Sequence, residues 1–370
     1  MNGLAEAPGL YVHVPFCARR CPYCDFYSIS ALELVPRYVA GLAAEARQAA
    51  GAWPGPFETL YIGGGSPSLL NREGLTGLLA ALAPLDLSRT LEITLEANPE
   101  DVGPEQADLW AEVGVTRLSL GVQSLDERWL GEVLGRGHHP DQALEAAAIL
   151  KARPFSLSLD LIYGLPSQAP VDWGRDLARA LELEPDHLST YSLTVERETP
   201  LARSIEARLF PPPPPPDKLA ELFLLSGQVL AEAGFRRYEV SNVARAGRES
   251  RHNLKYWRRV PYLGLGPAAH SFDGLSRRAN VPSVRRWLSA LAAGARPLAF
   301  EETPDEKAVR LEQVMLGLRL AEGVPEALLA GSPRLSEFIA SGHLRLEAGR
   351  LLPTEKGFLV ADRLAVELTE

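Results

Sequence analysis

The chain has 370 residues, of which 46% are hydrophobic, and its 38 basic and 47 acidic side chains give a formal net charge of −9. That length predicts at least two domains. The acidic balance argues against a nucleic-acid-binding protein, and no apolar run has the length of a membrane span. Because residues 1–10 lack the basic and apolar regions of a signal peptide, we expect a cytoplasmic protein.

The first half of the chain alternates short apolar strands with helical segments. The predicted strands are Leu10–Val14, Thr59–Ile62, Leu91–Leu95, Arg117–Leu120, Ser156–Ile162 and His187–Leu193. The predicted helices are Leu34–Ala50, Leu69–Leu82, Glu105–Val113, Glu127–Leu134, Asp141–Lys151 and Val171–Leu181. Successive β/α units predict a parallel sheet with right-handed crossovers. Because six units are fewer than a closed barrel has, the expected fold class is α/β, a partial (β/α)6 TIM-like barrel.

The second half begins with six consecutive prolines, Pro211–Pro216, for which we predict a polyproline II spacer rather than a helix. A helix over Lys218–Ala233 and an aromatic, polar stretch over Tyr238–Ser271 follow. Helices at Lys307–Ala321 and Pro333–Ser341 and a terminal hairpin then predict a small, mostly helical, winged-helix-like module. The predicted segments are 1–210 for the partial barrel, 211–300 for the proline spacer and a connecting α/β part, and 301–370 for the C-terminal domain.

Three cysteines, Cys17, Cys21 and Cys24, follow the first strand, and the chain contains no others. Thiols this close in sequence are poorly placed to form disulfides with one another. Thiolates are soft ligands for zinc or for an iron–sulfur cluster. A structural zinc site normally takes four protein ligands, and only His13, on the strand, could be the fourth. Three thiolates on a [4Fe–4S] cluster would instead leave one iron open for an exogenous ligand.

The C-x3-C-x2-C spacing, with the aromatic Tyr23 before the third cysteine, resembles the radical S-adenosylmethionine superfamily. The resemblance implies that Cys17, Cys21 and Cys24 hold a [4Fe–4S] cluster whose open iron chelates S-adenosylmethionine. In that family, one-electron reduction cleaves S-adenosylmethionine to a 5′-deoxyadenosyl radical and methionine. A zinc-stabilised barrel is the alternative that the cysteines alone leave open.

Further motifs along almost the whole chain resemble the coproporphyrinogen III dehydrogenase-like group of that superfamily. They are YVHVPFC, YIGGGSPS, LEANPE, GVQS, LGRGH, DLIYGLPSQ, YEVSN, HNLKYW and YLGLGPAAHS. The dehydrogenases of this group have another cysteine two residues after the third, at the position that Phe26 occupies in this chain. The dehydrogenases also have a longer N-terminal arm than this chain. The resemblance is therefore to the HemW-type haem chaperone branch. Radical oxidative decarboxylation of coproporphyrinogen III to protoporphyrinogen IX is the alternative, and we assign no catalytic residue.

The glycine run after the second strand lets the backbone approach a ligand closely. It resembles the superfamily motif whose backbone meets the amino group of S-adenosylmethionine. The resemblance assigns the cofactor-binding residues Tyr11, Tyr23, Gly64, Gly65, Ser66, Glu96, Gln123, Arg136 and Asp160. A carboxylate among them can bind ribose hydroxyls and the arginine can pair with the methionine carboxylate. The segment from Gln123 to Arg136 is one residue longer than the family norm.

His252, in HNLKYW, is the candidate haem ligand, because imidazole is a common axial ligand and the adjacent aromatic residues offer an apolar surface. His138 and His139 could be further ligands, but helix-capping or surface positions are expected for them, and His13 and His270 could line the pocket. The resemblance implies haem and recipient haemoproteins such as respiratory enzymes as partners. It further implies a reductant protein, a homodimer, and transient association with membrane-bound recipients.

Overall fold

The computed structural model describes residues 6–53 and 55–369 of the chain. Residues 1–5, at the start of the predicted segment 1–210, lie outside the described residues, and so does residue 370 at the end of the predicted segment 301–370. Residues 1–5 are also half of the stretch 1–10 in which a signal peptide was sought. Within the described ranges, no helix combines the length and the apolar character needed to cross a membrane.

Strands and helices alternate through the first half of the chain. In chain order they are β1 (Gly9–Val14), α1 (Val35–Ala50), β2 (Thr59–Gly64), α2 (Arg72–Ala81), β3 (Glu92–Ala97), α3 (Pro104–Glu112), β4 (Arg117–Gln123), α4 (Pro140–Lys151), β5 (Ser156–Tyr163), α5 (Pro170–Glu182) and β6 (His187–Ser192). Several helices begin at a proline, which is suited to the first helical position because the N–H it lacks has no partner there. This alternation confirms the predicted α/β class.

Shorter elements dominate the second half of the chain. They are α6 (Pro200–Glu206), α7 (Pro216–Glu232), β7 (Arg236–Arg237), β8 (Asn242–Ala244), α8 (Arg251–Trp257), β9 (Tyr262–Leu265), β10 (His270–Phe272), β11 (Arg277–Asn280), α9 (Val284–Ala292), β12 (Leu298–Glu302), α10 (Glu306–Gly317), β13 (Val324–Pro325), α11 (Leu335–Ala340), β14 (Leu344–Glu347), β15 (Arg350–Pro353), α12 (Glu355–Phe358) and α13 (Ala361–Thr369). The sequence predicted no regular elements within the aromatic stretch that forms β8, α8, β9 and β10.

The chain divides into two compact units. The first comprises the residues up to Asp160, Thr194–Pro211 and Val260–Glu302, and the second comprises Leu161–Leu193, Pro212–Arg259 and the residues from Thr303 onward. Each unit is thus assembled from segments that are distant in sequence. The three predicted sequence segments stay a prediction.

The first unit is built on one mixed sheet with the strand order β12-β11-β10-β9-β1-β2-β3-β4-β5. Strands β1 to β4 pair in parallel, with Tyr11 opposite Tyr61 and Glu96 opposite Ser119. Strand β9 lies parallel to β1 on its other side, and β10 to β12 continue antiparallel. The order does not return to its start, so the sheet of this unit is open, which agrees with the predicted partial barrel. The carboxyl ends of parallel strands meet at one edge, where ligands bind in such sheets.

A buried carboxylate joins helix α1 to the β9–β12 part of this sheet. Glu45 accepts hydrogen bonds from the Gly266 backbone N–H (2.8 Å), the Asn280 side-chain amide (2.5 Å) and the Trp287 indole N–H (3.1 Å). Burial raises the pKa of Glu45 to about 7, against the opposing effect of these donors. Three donors from separate segments therefore depend on one side chain.

The second unit contains β6, β8 and β7 paired antiparallel and a small C-terminal module. In that module α10, α11 and the β14–β15 hairpin agree with the predicted order, and β13 adds a third strand. Its core consists of Val314, Leu318, Val324, Leu329, Phe338, Leu344, Leu351, Leu364, Ala365 and Leu368.

Two local predictions need correction. The proline run was predicted to stay outside any helix, but Pro216 is the first residue of α7, while Pro215 has polyproline II angles (φ −65°, ψ 162°). The prediction was wrong at Pro216 because proline is tolerated at the first helical position. The helix predicted over Glu127–Leu134 forms a π-helix at Arg128–Val133.

Candidate functional site

The three cysteines lie on a closed loop that follows β1. The loop closes at its base because the Cys17 N–H donates to the Ile29 carbonyl (3.0 Å) and the Ile29 N–H donates to the Pro15 carbonyl (2.8 Å). All three cysteines are free thiols and half-buried. The loop therefore presents Cys17, Cys21 and Cys24 together on a short, anchored segment.

Two side chains from other elements donate to the sulfurs. The Ser66 hydroxyl lies 3.6 Å from the Cys17 sulfur, and Nη1 of Arg136 lies 3.6 Å from the Cys21 sulfur. Burial raises the pKa of the Cys24 thiol, and the nearby Cys21 and Cys17 raise it further. A cationic centre bound at the loop would favour the ionised form of Cys24. The donor set thus fits a metal centre of the soft, thiolate-binding kind.

No set of three or more His, Cys, Asp or Glu side chains in the described ranges converges on one point at distances suited to a single metal ion. Choosing between zinc and an iron–sulfur cluster therefore rests on the number and type of the donors. The loop offers three thiols and no fourth cysteine.

Arg136 is anchored beside the cysteine loop by two oxygen acceptors. Its Nη2 donates to the Asn98 side-chain oxygen (2.7 Å) and to the Gly121 carbonyl (3.0 Å), while its buried Nε has no hydrogen-bond partner within the described residues. Burial acts to lower the pKa of Arg136, but Tyr23, Cys21 and Glu100 outweigh it and the pKa rises. Arg136 therefore stays cationic and keeps an N–H that a ligand could use.

A π-helix, Arg128–Val133, precedes Arg136. The Leu134 N–H donates to the Trp129 carbonyl (2.8 Å), a bond that spans five residues. A single wide turn of this kind takes up one extra residue within a helix. This wide turn lies between Gln123 and Arg136, in the segment that the resemblance predicts to be one residue longer than in the family.

Asn98 is a site residue that the sequence reasoning did not single out. Its amide donates to the Ser66 hydroxyl (2.8 Å) and its oxygen accepts from Arg136, so it connects the two groups that donate to the cysteine sulfurs. The available signal was its position one residue after β3, at the edge where ligands bind in parallel sheets.

The glycine run lies tightly against the base of the cysteine loop. A Cβ on Gly65 would lie 2.6 Å from the Phe16 carbonyl oxygen, and one on Gly64 would lie 2.3 Å from the His13 ring. Gly64 also has φ +106°, which disfavours other residues. The backbone N–H of Gly65 donates to the Val14 carbonyl (2.8 Å), so this close approach is part of the local structure.

A carboxylate row crosses the sheet beside the glycine run. Glu96 accepts from the Tyr61 hydroxyl (2.8 Å) and from the Gly64 backbone N–H (2.9 Å), and the Ser119 hydroxyl donates to Asp160 (2.9 Å). Burial raises the pKa of Glu96 to about 7, and the charge of Asp160 adds to the rise. Near neutral pH, Glu96 can therefore exchange a proton while it faces the site.

Tyr11 and His13 connect β1 to the far end of the cysteine loop. The ring nitrogens of His13 lie 2.9 Å from the Tyr11 hydroxyl and 3.0 Å from the Tyr27 carbonyl. The carbonyl can only accept, so Nε2 carries the hydrogen and the Tyr11 hydroxyl donates to Nδ1. Burial lowers the pKa of His13, which is consistent with a neutral ring.

Gln123 and Tyr23 complete the set assigned by resemblance. Gln123 ends β4 with φ 65°, a conformation that is uncommon outside glycine. Burial raises the pKa of Tyr23 above its ordinary range, and the neighbouring Arg136 opposes that rise. A strained backbone at the end of a parallel strand suggests function.

The structure thus brings nine of the ten proposed cofactor-binding residues and the cysteines into the first unit. The tenth, His252, lies in α8 of the second unit. Its ring is buried, Nε2 lies 2.8 Å from the Tyr256 hydroxyl, and burial together with the charge of Lys255 lowers its pKa to about 3. His252 is therefore a neutral, enclosed imidazole in this structure.

The paired histidines after the π-helix have different structural roles. His139 is the N-cap residue of α4, in agreement with the expected capping position. His138 is buried and lies between a Glu100 carboxylate oxygen (3.1 Å) and the Val122 carbonyl (3.2 Å), so the expected surface position is wrong for this residue.

Comparison with known proteins identifies relatives along nearly the whole chain. Residues 11–179 match the Radical SAM superfamily. The chain is 39% identical to the heme chaperone HemW of Mycobacterium tuberculosis (strain ATCC 25618 / H37Rv), covering 98% of this chain and 96% of the relative. It is 35% identical to the heme chaperone HemW of Escherichia coli (strain K12), covering 96% of each chain. The fold is similar to that of the coproporphyrinogen III oxidase HemN from Escherichia coli, a radical SAM enzyme, with a TM-score of 0.84, 20% identity, and 98% and 90% of the two chains covered.

Proposed function

The chain belongs to the HemW haem chaperone family of the radical S-adenosylmethionine superfamily, and from that premise we propose that it binds haem and delivers it to haemoproteins. The observation that carries the proposal is the identity to HemW proteins over nearly the full length of both chains. Phe26 adds support, because it stands at the position where the dehydrogenases of the group have a further cysteine. Its side chain is 68% exposed.

We propose that Cys17, Cys21 and Cys24 hold a [4Fe–4S] cluster. When bound, such a cluster supplies one-electron chemistry and leaves one iron open to a ligand from outside the protein. The Ser66 hydroxyl and the Arg136 guanidinium stabilise the anionic sulfurs by donating to them. Asn98 holds these two donors in place.

The same surroundings support a S-adenosylmethionine site next to the cysteine loop. Arg136 keeps its positive charge and offers an N–H to the methionine carboxylate. The backbone around Gly64, Gly65 and Ser66 can approach the methionine amino group because it has almost no side-chain bulk. Glu96 and Asp160 offer carboxylate oxygens to the ribose hydroxyls, and Tyr11, Tyr23 and Gln123 line the same region in the proposal.

The pKa of Glu96 leads to a pH prediction. The ionised carboxylate is the stronger acceptor for ribose hydroxyls, and a pKa of about 7 means that it is mostly protonated below that pH and mostly ionised above it. We expect the affinity for S-adenosylmethionine to increase about tenfold between about pH 6 and about pH 8. Equilibrium binding to cluster-loaded protein under anaerobic conditions measures the effect.

Glu96→Gln is the matched control, because the amide has a similar shape and does not titrate. The variant is expected to bind S-adenosylmethionine more weakly and with a flatter pH profile. An unchanged pH profile in Glu96→Gln would show that another group, in the protein or in the ligand, is responsible.

For haem itself, the resemblance assigns His252 as the axial ligand. The neutral imidazole has the protonation state that iron coordination requires. Because the ring is buried and bonded to Tyr256, ligation requires the ring to leave this partner and become accessible. His252 stays a proposal to be tested by replacement with alanine.

The proposed partners follow from this role. They are haem, recipient haemoproteins such as respiratory enzymes, a reductant protein for the cluster, and a second copy of the chain in a homodimer. We place the protein in the cytoplasm, with transient contacts to membrane-bound recipients.

The deciding experiment compares haem binding with enzyme turnover in one cluster-reconstituted sample. Under anaerobic conditions with S-adenosylmethionine and a reductant, we expect no catalytic conversion of coproporphyrinogen III and stoichiometric, saturable binding of haem. Chromatography of the tetrapyrroles and a haem titration give the two results. Catalytic formation of protoporphyrinogen, in a sample whose cluster is verified by spectroscopy, would contradict the chaperone assignment and favour the dehydrogenase.

A further inference from the structure

A row of side chains runs across β1, β9, β10, β11 and β12 in the first unit. Tyr11 is opposite Gly264, His270 is opposite Ala279, and Ala279 is opposite Phe300. A Cβ on Gly264 would lie only 2.0 Å from the His270 carbonyl oxygen, so the two strands approach closely at this point. We call these five residues the His270 row. Its two smallest members, Gly264 and Ala279, lie on either side of His270.

The imidazole of His270 is exposed and available. Its ring packs edge-on against the Phe300 ring, with 5.9 Å between the centroids and 65° between the planes. Within residues 6–53 and 55–369 the ring makes no hydrogen bond. Partial burial lowers the pKa of His270, so the ring is neutral near pH 7 and can offer a nitrogen lone pair to a metal.

The remaining histidines of the chain are all engaged through their rings. Each lies within hydrogen-bond distance of at least one protein group, and they are His13, His138, His139, His187, His252 and His343. His270 differs from all of them in being exposed with both ring nitrogens unused by the described residues. His270 therefore has both ring nitrogens available to a metal, whereas each of the other imidazoles uses at least one ring nitrogen in a hydrogen bond.

The surroundings of His270 suit a flat, apolar ligand. Phe300 is 43% exposed, and Ala279, on the strand between Phe300 and His270, has a small side chain across which the two rings meet. Strand β12 is the outer strand of this sheet and its side chains from Ala299 to Glu302 are exposed, so a ligand can enter and leave from the edge.

We propose that the His270 row is a haem-binding surface on which His270 is an axial ligand to the iron and Phe300 packs against the porphyrin. This inference rests on the proposed haem-binding function and adds a site in the first unit that is distinct from His252. An accessible ligand at a sheet edge fits a protein that must release its haem, because no local unfolding is needed for the haem to leave.

The test is titration of full-length, cluster-loaded protein with iron protoporphyrin IX, followed by optical and electron paramagnetic resonance spectra of the bound haem. We expect His270→Ala to lose the histidine-ligated spectrum and to bind haem roughly tenfold to a hundredfold more weakly. Added imidazole is expected to restore the spectrum. Phe300→Ala is expected to weaken binding while the histidine-ligated spectrum remains.

Two controls separate the possible results. His139→Ala removes another exposed imidazole and is expected to match the wild type in affinity and spectrum. His252→Ala is measured in parallel, and loss of the histidine-ligated spectrum in that variant would assign the iron ligand to the second unit. A His270→Ala spectrum and affinity equal to those of the wild type would overturn this inference alone. A wild-type protein that binds no haem at a defined stoichiometry would overturn both this inference and the proposed function.

Discussion

Cys21→Ser is expected to remove nearly all of the cluster. The serine hydroxyl is a poor ligand for iron at neutral pH, and the loop has no other thiol that could replace Cys21. Reconstituted wild-type protein should contain about four iron and four sulfide per chain, whereas the variant should contain close to none. Iron and acid-labile sulfide analysis, together with the visible absorbance of the cluster, measures the loss. Cys17→Ser and Cys24→Ser are expected to behave in the same way.

Phe26→Ser is the matched control for this prediction. Phe26 lies on the same loop, is largely exposed, and has no donor atom for iron, so the variant is expected to keep the full iron and sulfide content. Circular dichroism of all variants verifies the fold. Wild-type protein that contains about one zinc and no sulfide would contradict the cluster assignment and favour the zinc-stabilised barrel.

Glu45→Ala is expected to cause the largest loss of stability among the substitutions considered. The change leaves the Gly266 N–H, the Asn280 amide and the Trp287 indole N–H without their common acceptor in a buried location. Each stranded donor costs about 1 kcal/mol or more, so the free energy of unfolding should fall by about 3 kcal/mol or more. Denaturant unfolding measured by circular dichroism gives the difference.

Two controls accompany this prediction: one substitution elsewhere on helix α1 and one milder substitution of Glu45 itself. Gln48→Ala replaces an exposed residue of α1 and should change the free energy of unfolding by less than about 0.5 kcal/mol. Glu45→Gln keeps one acceptor oxygen and should lose less stability than Glu45→Ala. If Glu45→Ala unfolds at the same denaturant concentration as Gln48→Ala, the three donors do not depend on Glu45 for stability.

Several features could be predicted from short stretches of sequence. The β/α alternation comes from local hydrophobic periodicity, and each strand predicted in the first half forms within a few residues of its expected range. The cysteine loop also depends on local information, because three thiols separated by two or three residues are held together by the chain itself. The glycine run was singled out for the close backbone approach that the structure shows at Gly64 and Gly65.

Other parts of the site depend on pairing between distant segments. Nothing in the local sequence distinguishes Asn98, but in the folded sheet it lies between Ser66 and Arg136 and bonds to both. The π-helix before Arg136 was also not predicted, and only the structure shows it. The role of Asn98 could not come from local propensity, because its contacts join residues that lie far apart in the sequence.

The sequence by itself therefore determined that three thiols lie on one short loop and the order of the β/α units, because both depend on residues that are close neighbours along the chain. The tertiary structure alone decided that β9 pairs with β1, so that β10 to β12 extend the same sheet. That pairing joins strands about 250 residues apart, for which local periodicity holds no information. It also decided that His252 is buried while His270 is exposed on the sheet.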